Sequence, residues 1–343
     1  MDAWPLKKIA DIYALHIRDI EDHGKILFLD TNRGRLALKR STLEQEELDL
    51  EFSICEHLFS QGFIHIARII PTQSGRAFAQ VENQRFLLTT WVNGVQSNFS
   101  LPEELELAVR NLGRFHLAAR GYSGRVYWQK RKLYGIWPQR FSYRLGNILW
   151  YRRCIAARGI RGEFDQLFMS YVDHAILQAK RAVNRLKNGN YYCLSNNSRK
   201  MGTICHHDYA YHNILIDPER RVWLVDFDYC ILDTPLHDLG SLILRTVKLN
   251  NWSLEDAKRI LLIYHEEKPL EAGDLEVLFS FMEYPQDFWQ LAWARYNEVG
   301  MHKPENLLIR LKKLIDSLDA RDEFLTQFAK LNSQNFLSGR NIL

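Results

Sequence analysis

Cysteine is scarce and scattered in this chain of 343 residues, which excludes two kinds of small cross-linked protein. Five widely separated cysteines without a Cys-x-x-Cys pair form neither a disulfide framework nor the paired ligands of a structural zinc site. We therefore expect reduced thiols, most of them packed as small core residues. The five are Cys55, Cys154, Cys193, Cys205 and Cys230.

The sequence also lacks long hydrophobic runs. No stretch approaches the roughly 18 to 20 apolar residues that cross a bilayer, and Met1–Lys8 has no apolar run of secretory type. We expect synthesis and residence in the cytoplasm, with no membrane partner. A composition of 46% hydrophobic and 25% charged residues is typical of a globular protein, here long enough for two lobes or domains.

Acidic residues are absent between Arg120 and Gly162, although 11 Lys or Arg residues and nine aromatic residues fall there. Cations on amphipathic helices usually face water, but this composition also suits an anionic or sugar-bearing ligand. We predict that Trp150, Arg152 and Arg153 bind the substrate. Single-stranded nucleic acid would favour the same residue types, but a net charge of only +4 and the lack of an RNA-binding motif argue against it.

The pattern of secondary structure changes near residue 93, which predicts two lobes, 1–93 and 94–343. The first reads as strands around one helix, with hairpins that turn at 32–34 and 82–84 and a helix over 42–61 that stops at Gly62. The second is mainly helical. Its predicted helices are 102–120, 141–157, 163–187, 254–264, 272–281, 285–300 and 305–330, and it includes a basic aromatic insertion at about 120–200.

One strand pair is predicted in the second lobe, within residues 204–230. Two short apolar runs, 214–217 and 222–225, flank Pro218–Arg221, a polar loop of a length common in hairpins. Pairing Asp217 with Val222 would place Asn213 opposite Asp226 at the open end. Amide and carboxylate oxygens are the hard ligands that Mg²⁺ accepts, so these two residues are predicted to hold metal.

Two further carboxylates complete this candidate site. Asp208 lies on the loop that enters the hairpin, where it could receive the proton of an attacking hydroxyl group. Asp228 could reach a second metal ion or brace the loop. Phosphoryl transfer needs little else than metal on the phosphates, a carboxylate that orients the nucleophile and a cation at the transferring end.

The motif His206-x-Asp208-x-x-x-x-Asn213, followed by Asp226-Phe227-Asp228, resembles the catalytic and metal loops of the aminoglycoside phosphotransferase and choline kinase-like group, relatives of protein kinases. More narrowly, residues 205–213, 226–230 and 235–239 are similar to the CotS family of bacterial spore coat proteins. This similarity continues through Arg245–Lys248, Trp252 and Tyr284–Pro285. It implies an α+β, two-lobed protein kinase-like fold: a small antiparallel sheet-plus-helix N-lobe, a large helical C-lobe and an active site in the cleft between them.

The resemblance also implies residues that hold nucleotide. Lys39 ends an apolar strand and corresponds to the lysine on the α and β phosphates, which a helix glutamate positions. Glu51 fits the family's helix pattern best, with Glu47 one turn away as the alternative. Thr90, Trp91 and Val92 would form the hinge that reads the purine edge, and ATP with Mg is the expected cofactor.

Two departures from protein kinases qualify the expectation. The segment Asp19–Lys25 has one glycine and three acids in place of a glycine triplet. Ala210 stands where protein kinases usually have lysine, so a small molecule or glycan is favoured as the hydroxyl-bearing acceptor. The resemblance thus implies a phosphotransferase of sporulation, located in the mother-cell cytoplasm or deposited in the spore coat among other coat proteins. The alternative is a catalytically weak or inactive kinase-fold structural protein of the coat.

Overall fold

The computed structural model describes residues 4–124, 129–271, 273–298 and 300–331. The predicted α+β class is confirmed: a small antiparallel sheet and helix precede a larger, mainly helical part. Residues 1–132 and 201–232 make one compact unit, and residues 133–200 and 233–343 make the other. We call the first the catalytic unit, after the predicted catalytic residue Asp208 that it contains, and the second the helical unit. The boundary predicted near residue 93 stays a prediction.

The catalytic unit begins with α1 (Leu6–Tyr13) and a five-stranded antiparallel sheet in the order β1-β2-β3-β5-β4. The strands are β1 (Ile17–Asp22), β2 (Ile26–Thr31), β3 (Gly34–Ser41), β4 (Ala79–Val81) and β5 (Gln84–Thr90). Alternate residues of β2 and β3 are buried, as expected for strands with one covered face. Their apolar side chains pack with Ile9 and Tyr13 of α1.

The helix α2 (Gln45–Ser60) crosses from β3 to β4. It starts at a capping box, in which the Glu47 carboxylate accepts a hydrogen bond of 3.1 Å from the Glu44 N–H. It stops before Gly62, whose φ of +83° is readily adopted only by glycine. The buried face of α2 carries Glu51 among apolar side chains.

A second, three-stranded sheet holds the predicted hairpin. Its strands are β6 (Val95–Gln96), β7 (Ile214–Ile216) and β8 (Val222–Leu224), in that order. The hairpin is attached to the N-terminal region, because the Leu224 N–H donates to the His65 carbonyl at 3.0 Å. At Gly94, beside β6, an added Cβ would lie 3.0 Å from Leu215 Cβ, so this backbone passes directly against β7.

The predicted hairpin register is wrong by one residue. Ile214 pairs with Leu224 and Ile216 with Val222, so Asn213 faces Val225 and Asp226 lies one position beyond. The cause is Asp217, which belongs to the turn: its carboxylate accepts bonds from the Arg221 N–H at 2.8 Å and from Trp223 Nε1 at 2.9 Å. Arg220 takes a left-handed φ of +60°, and residues 217–221 form a five-residue loop in place of the predicted four-residue loop.

The remaining elements are helices. In the catalytic unit, α3 (Pro102–Ala118) follows β6. The helical unit contains α4 (Trp137–Arg158), α5 (Glu163–Asn188), α6 (Tyr191–Lys200), α7 (Leu236–Leu249), α8 (Leu254–Glu267), α9 (Asp274–Glu283), α10 (Gln286–Tyr296), α11 (Pro304–Asp316) and α12 (Leu318–Phe328). α6 and α7 were not predicted. The single helix predicted over 305–330 is wrong, because Ser317 separates α11 from α12.

The structure bears on two expectations, those for the cysteines and for membrane-spanning segments. All five cysteines are free thiols; Cys55, Cys205 and Cys230 are buried, which agrees with a core packing role. Among the described residues, no helix combines the length and apolar character required to cross a membrane.

Candidate active site

Lys39 lies near the end of β3 and forms ion pairs with two carboxylates of the segment that follows β8. Its Nζ is 2.8 Å from Asp226 Oδ1 and 2.6 Å from Asp228 Oδ2. Although burial acts to lower it, the charges of Asp228 and Asp226 hold the pKa of Lys39 above its ordinary value. The fold therefore brings Lys39 together with two carboxylates that are distant from it in sequence, as one charged cluster.

The backbone turns sharply at Asp226, and this turn positions the Asp226 carboxylate in the cluster. Asp226 has a left-handed φ of +63°, an uncommon conformation for a residue other than glycine. The preceding carbonyl, that of Val225, is 3.1 Å from Nε2 of the buried His206. His206 thus ties the predicted catalytic loop to the strand that delivers Asp226.

Glu51 is the third carboxylate near Lys39. It is 5% exposed, and its Oε2 is buried with no hydrogen-bond partner among the described residues. Burial, together with the charge of Asp228, raises the pKa of Glu51 well above its ordinary value. A buried carboxylate oxygen without a donor is costly, so this position favours the arrival of a cation or a repositioned lysine.

Glu47, the alternative to Glu51, has a different partner. Its Oε1 is 2.6 Å from Arg131 Nη2, and both side chains are almost completely buried. Arg131 also donates to the Cys230 carbonyl at 3.4 Å. This pair connects α2 to the segment after Asp228, and it leaves Glu51 as the helix glutamate available to Lys39.

The charges of the cluster are unbalanced. Three carboxylates, those of Glu51, Asp226 and Asp228, act on the single ammonium group of Lys39. Burial alone would raise the pKa of Asp226, but Lys39 holds it below its ordinary value; burial and Asp226 keep the pKa of Asp228 raised. An excess of buried carboxylate oxygen is the donor set that suits Mg²⁺, so the residues fit a divalent cation.

The catalytic loop presents Asp208 beside Asn213. Asn213 Nδ2 donates to the Asp208 carbonyl at 3.0 Å and to its Oδ2 at 3.1 Å, which leaves Asn213 Oδ1 as the atom that could bind a cation. His212 Nε2 lies 3.4 Å from the same Oδ2. Next to Asp208, the buried Tyr209 hydroxyl donates to the Ala108 carbonyl of α3 at 2.7 Å, and this bond fixes the loop.

The predicted hinge residues lie at the end of β5 and just after it. The N–H groups of Thr90 and Trp91 donate to the carbonyls of Arg68 and Arg35, whereas that of Val92 has no acceptor in the part of the chain that the structure describes. The Arg35 guanidinium also stacks over the Trp91 ring, 4.6 Å from its centroid. Val92 is therefore the hinge residue best able to donate to a ligand through its backbone.

The segment expected to cover phosphates is a tight turn between β1 and β2. The Gly24 N–H donates to the Asp22 carboxylate at 2.7 Å, and the His23 N–H donates to the Ile26 carbonyl at 3.0 Å. A turn closed on itself in this way leaves few backbone donors for phosphate. Lys39 is then the principal cation on this side of the site.

The predicted substrate residues lie on α4, in the helical unit. Trp150 is 62% exposed, Arg153 is exposed, and Arg152 pairs with Asp173 of α5 at 3.0 Å. Nearby, Arg158 pairs with the buried Asp165 at 2.7 Å. Part of the positive charge of the acid-free segment is therefore paired with carboxylates of α5. Its members Arg125, Tyr127 and Trp128 lie outside the described residues.

Three contributors to the site were not found by sequence reasoning. Arg131 was counted only as part of the acid-free segment, His212 was unassigned, and Asp217 was read as a strand residue. The signal for Asp217 was present, since Asp before Pro is a frequent turn start. No comparable sequence signal indicates the Arg131–Glu47 pair, because its partners are far apart in the chain.

Similar solved structures define the fold class as that of the aminoglycoside phosphotransferases. An aminoglycoside phosphotransferase from Alicyclobacillus acidocaldarius has a TM-score of 0.83 and 23% identity, with 96% of each chain covered. The spectinomycin phosphotransferase APH(9)-Ia, solved with ADP and spectinomycin, has a TM-score of 0.64 and 15% identity over 96% of this chain and 99% of that one. Identities this low establish the fold alone.

The family follows from the sequence. The profile described as "Spore coat putative kinase YutH" matches residues 6–328, and the chain therefore belongs to that family. Spore coat protein S of Bacillus subtilis (strain 168) is 23% identical over 337 residues, which cover 95% of this chain and 94% of that protein. The predicted likeness to kinase-fold spore coat proteins is confirmed.

Proposed function

We propose that this protein is an ATP-dependent phosphotransferase that uses Mg²⁺ to move the γ-phosphoryl group to a hydroxyl group. The observation that carries the proposal is the cluster of Lys39 with Asp226 and Asp228, beside the unpartnered oxygen of Glu51. An isolated ion pair does not need a surplus of buried carboxylates, whereas a site for metal and triphosphate does.

Each residue has a distinct role in this proposal. Asn213, Asp226 and Asp228 would hold Mg²⁺, which supplies charge neutralisation on the phosphates. Lys39 leaves the carboxylates for the α and β phosphates and is then positioned by Glu51. Asp208 accepts the proton of the attacking hydroxyl group, and its hydrogen bonds from Asn213 fix the carboxylate for that task. Thr90, Trp91 and Val92 contact the purine.

The acceptor is a small molecule or a glycan. Spectinomycin phosphotransferase and the amicoumacin kinase hAmiN, of TM-score 0.64 and 0.57, are named for small-molecule acceptors. Trp150 offers an exposed ring that could stack on a sugar, and Arg152 and Arg153 could attract its anionic substituents. The site of action is the mother cell, with deposition in the spore coat among other coat proteins.

A structural role in the coat is the second candidate. It is favoured by the relative that is named only as spore coat protein S and matches almost the whole chain. In that case the kinase fold is a scaffold, and the exposed Trp150 and Tyr143 of α4 serve assembly.

Thermal shift separates the two. ATP should raise the melting temperature only when Mg²⁺ is present, because a ligand stabilises the fold through its affinity for the folded state, by about 2.7 kcal/mol at 100 times Kd. Asp226→Asn should remove the shift while the protein stays folded, since Lys39 keeps its pair with Asp228.

The matched control is Glu103→Gln, which removes an exposed carboxylate of the same unit and should leave the shift intact. ATP binding without metal, or no binding at millimolar ATP, would contradict the proposal and favour the structural role.

A further inference from the structure

The helical unit contains a cavity of about 330 Å³ that lies wholly within this unit. α5, α7, α9, α10, α11 and α12 contribute to its walls. Its volume is at the lower end of the range for small-molecule sites. Arg245, Lys248, Trp252 and Tyr284 line it, and all four belong to the stretches in which the sequence resembles spore coat proteins without a role assigned to them.

Spacing on α7 explains how one short stretch supplies a wall. Ser241, Arg245 and Lys248 follow at intervals of four and three residues, so they share one face of the helix. Past the helix end, Asn251 and Trp252 both take left-handed φ values, +47° and +60°. This uncommon conformation bends the chain back and buries Trp252 against the cavity, at a cost in backbone energy.

Arg321 is the central observation, because the fold buries its charge and gives it no hydrogen bond to a carboxylate of the described residues, although Asp322 lies 3.9 Å away. It is 5% exposed and lines the cavity. Its terminal nitrogens donate to Gln178 Oε1 at 2.7 Å and to the carbonyls of Met282 and Glu283 at 3.0 and 2.9 Å. These bonds cap the end of α9, but their acceptors are neutral groups.

The nearby carboxylates each have another partner. Glu283 pairs with Arg185, Asp287 pairs with Lys248, and Asp322, 3.9 Å from Arg321, lies 3.0 Å from His174. The hydrogen bonds that Arg321 makes to described residues all use its terminal nitrogens, so its Nε–H remains a donor.

Burial lowers the pKa of Arg321 below its ordinary value, although Asp322, Asp287 and Glu283 act in the opposite direction. A desolvated guanidinium with incomplete compensation is destabilising until an anion approaches it.

The described lining as a whole contains more cationic side chains than carboxylates. Three side chains that carry full positive charge, those of Arg245, Lys248 and Arg321, share the cavity with one carboxylate, Asp287. Much of the remaining wall is aromatic or aliphatic and includes Trp252 and Tyr284. A ligand that suits this lining has a flat or apolar body for the rings and one anionic group for the cationic side chains.

We propose that this cavity binds a small organic anion: an aromatic or apolar body that bears one carboxylate or one phosphate group. The inference goes beyond the proposed phosphotransfer, because it requires neither nucleotide nor turnover. It concerns a ligand opposite in charge to the Mg²⁺ that the Lys39 cluster suits.

Calorimetric titration of the full chain without nucleotide tests the proposal. Phenylacetate and phenyl phosphate are the two anionic probes, and phenylacetamide is the neutral probe of matched shape. We expect at least one anion to bind with a Kd below about 10 mM and at least tenfold more tightly than the amide, which corresponds to about 1.4 kcal/mol. Preference between the two anions identifies the acid group.

Two variants that change the charge of the cavity in opposite directions sharpen the test, since Lys248 and Asp287 form one ion pair. Lys248→Gln should weaken anion binding by about five- to tenfold, and Asp287→Asn should strengthen it by a few-fold, because each changes the local charge by one unit. Lys258→Gln, on α8 and paired with Glu255 outside the cavity, is the control and should bind as the wild type does. The Mg·ATP thermal shift should be unchanged in all three.

The proposal is overturned by any of three results. The first is that neither anion binds at about 10 mM. The second is that the amide binds as tightly as the acids, which would mark an apolar void without anion recognition. The third is that Lys248→Gln and Asp287→Asn both weaken binding, which would indicate that the pair acts through structure and not through charge.

Discussion

In the catalytic unit three carboxylates share one lysine, whereas in the cavity of the helical unit three cations share one carboxylate. Both regions bury charge at a cost: among the described residues, Oε2 of Glu51 in the first has no hydrogen-bond partner, and Arg321 in the second donates only to neutral acceptors. We infer from the comparison that a buried charge which the fold compensates only in part predicts a ligand of the opposite charge.

Hydrogen bonding separates the two units further. The buried Asp233 of the helical unit accepts bonds from Trp137 Nε1 at 2.7 Å and from the Thr234 N–H at 2.8 Å. Glu51, which is buried to a similar extent, has an oxygen that accepts none. A satisfied buried carboxylate is structural by default, and an unsatisfied one requires an explanation.

The largest effect expected is on chemistry in the catalytic unit. Asp208→Asn keeps the size of the side chain but removes the base, so turnover should fall by roughly 10²- to 10⁴-fold. The affinity for Mg·ATP should change little, because Asp208 is not assigned to the metal. Single-turnover phosphate transfer with calorimetric ATP titration measures both. If ATP binding were lost as completely as in Asp226→Asn, Asp208 would be a metal ligand or a structural residue.

A smaller effect is expected from pH in the helical unit. Burial raises the pKa of Asp233 to about 7, against the influence of His237, Trp137, Thr234 and Arg140. Because the folded pKa exceeds the unfolded one, the folded state holds the extra proton at low pH, and stability is lost as pH rises from about 4 through 7.

Between pH 5 and pH 8 the free energy of unfolding should therefore fall by about 2 to 3 kcal/mol more in the wild type than in Asp233→Asn. Urea unfolding at the two pH values measures the difference. Parallel pH profiles for the two proteins would show that Asp233 stays ionised in the fold and that its two donors suffice.

The smallest effect concerns Glu51, where we expect a substitution to raise the free energy of unfolding, whereas most substitutions lower it. Glu51→Gln removes a buried charge whose oxygen has no donor, so the free energy of unfolding without ligand should rise by about 1 kcal/mol at pH 8. Affinity for Mg·ATP should fall, since Lys39 would lose the carboxylate that positions it. Glu47→Gln is the matched comparison: it breaks a buried ion pair and should destabilise the fold. A destabilised Glu51→Gln variant would mean that Glu51 is already paired in solution.

The candidate site was largely predictable because its residues are concentrated in short motifs. Lys39, Asp226 and Asp228 do meet, and Asn213 does contact Asp208. Their assigned roles stay predictions. The register failed at Asp217, since counting loop residues cannot reveal that a side chain will hydrogen-bond its own turn.

The fold was predictable where polar and apolar residues alternate with a clear period. α2 was found between its acidic start and Gly62, whereas α7 was missed although Ser241, Arg245 and Lys248 mark a polar face on it. The break at Ser317 was missed because neither glycine nor proline marks it. The cavity was out of reach for another reason: Lys248, Asp287 and Arg321 meet only after several helices have packed.

Gly94 couples two parts of the catalytic unit that are otherwise distant in the chain. Its backbone lies so close to β7 that an added Cβ would meet Leu215 Cβ at 3.0 Å and the Ile216 carbonyl oxygen at 3.1 Å. The segment just after Thr90–Val92 and the strand just after Asn213 are therefore in direct contact. Under the proposed function, a nucleotide that shifts the first segment toward β7 would press on the strand that follows Asn213.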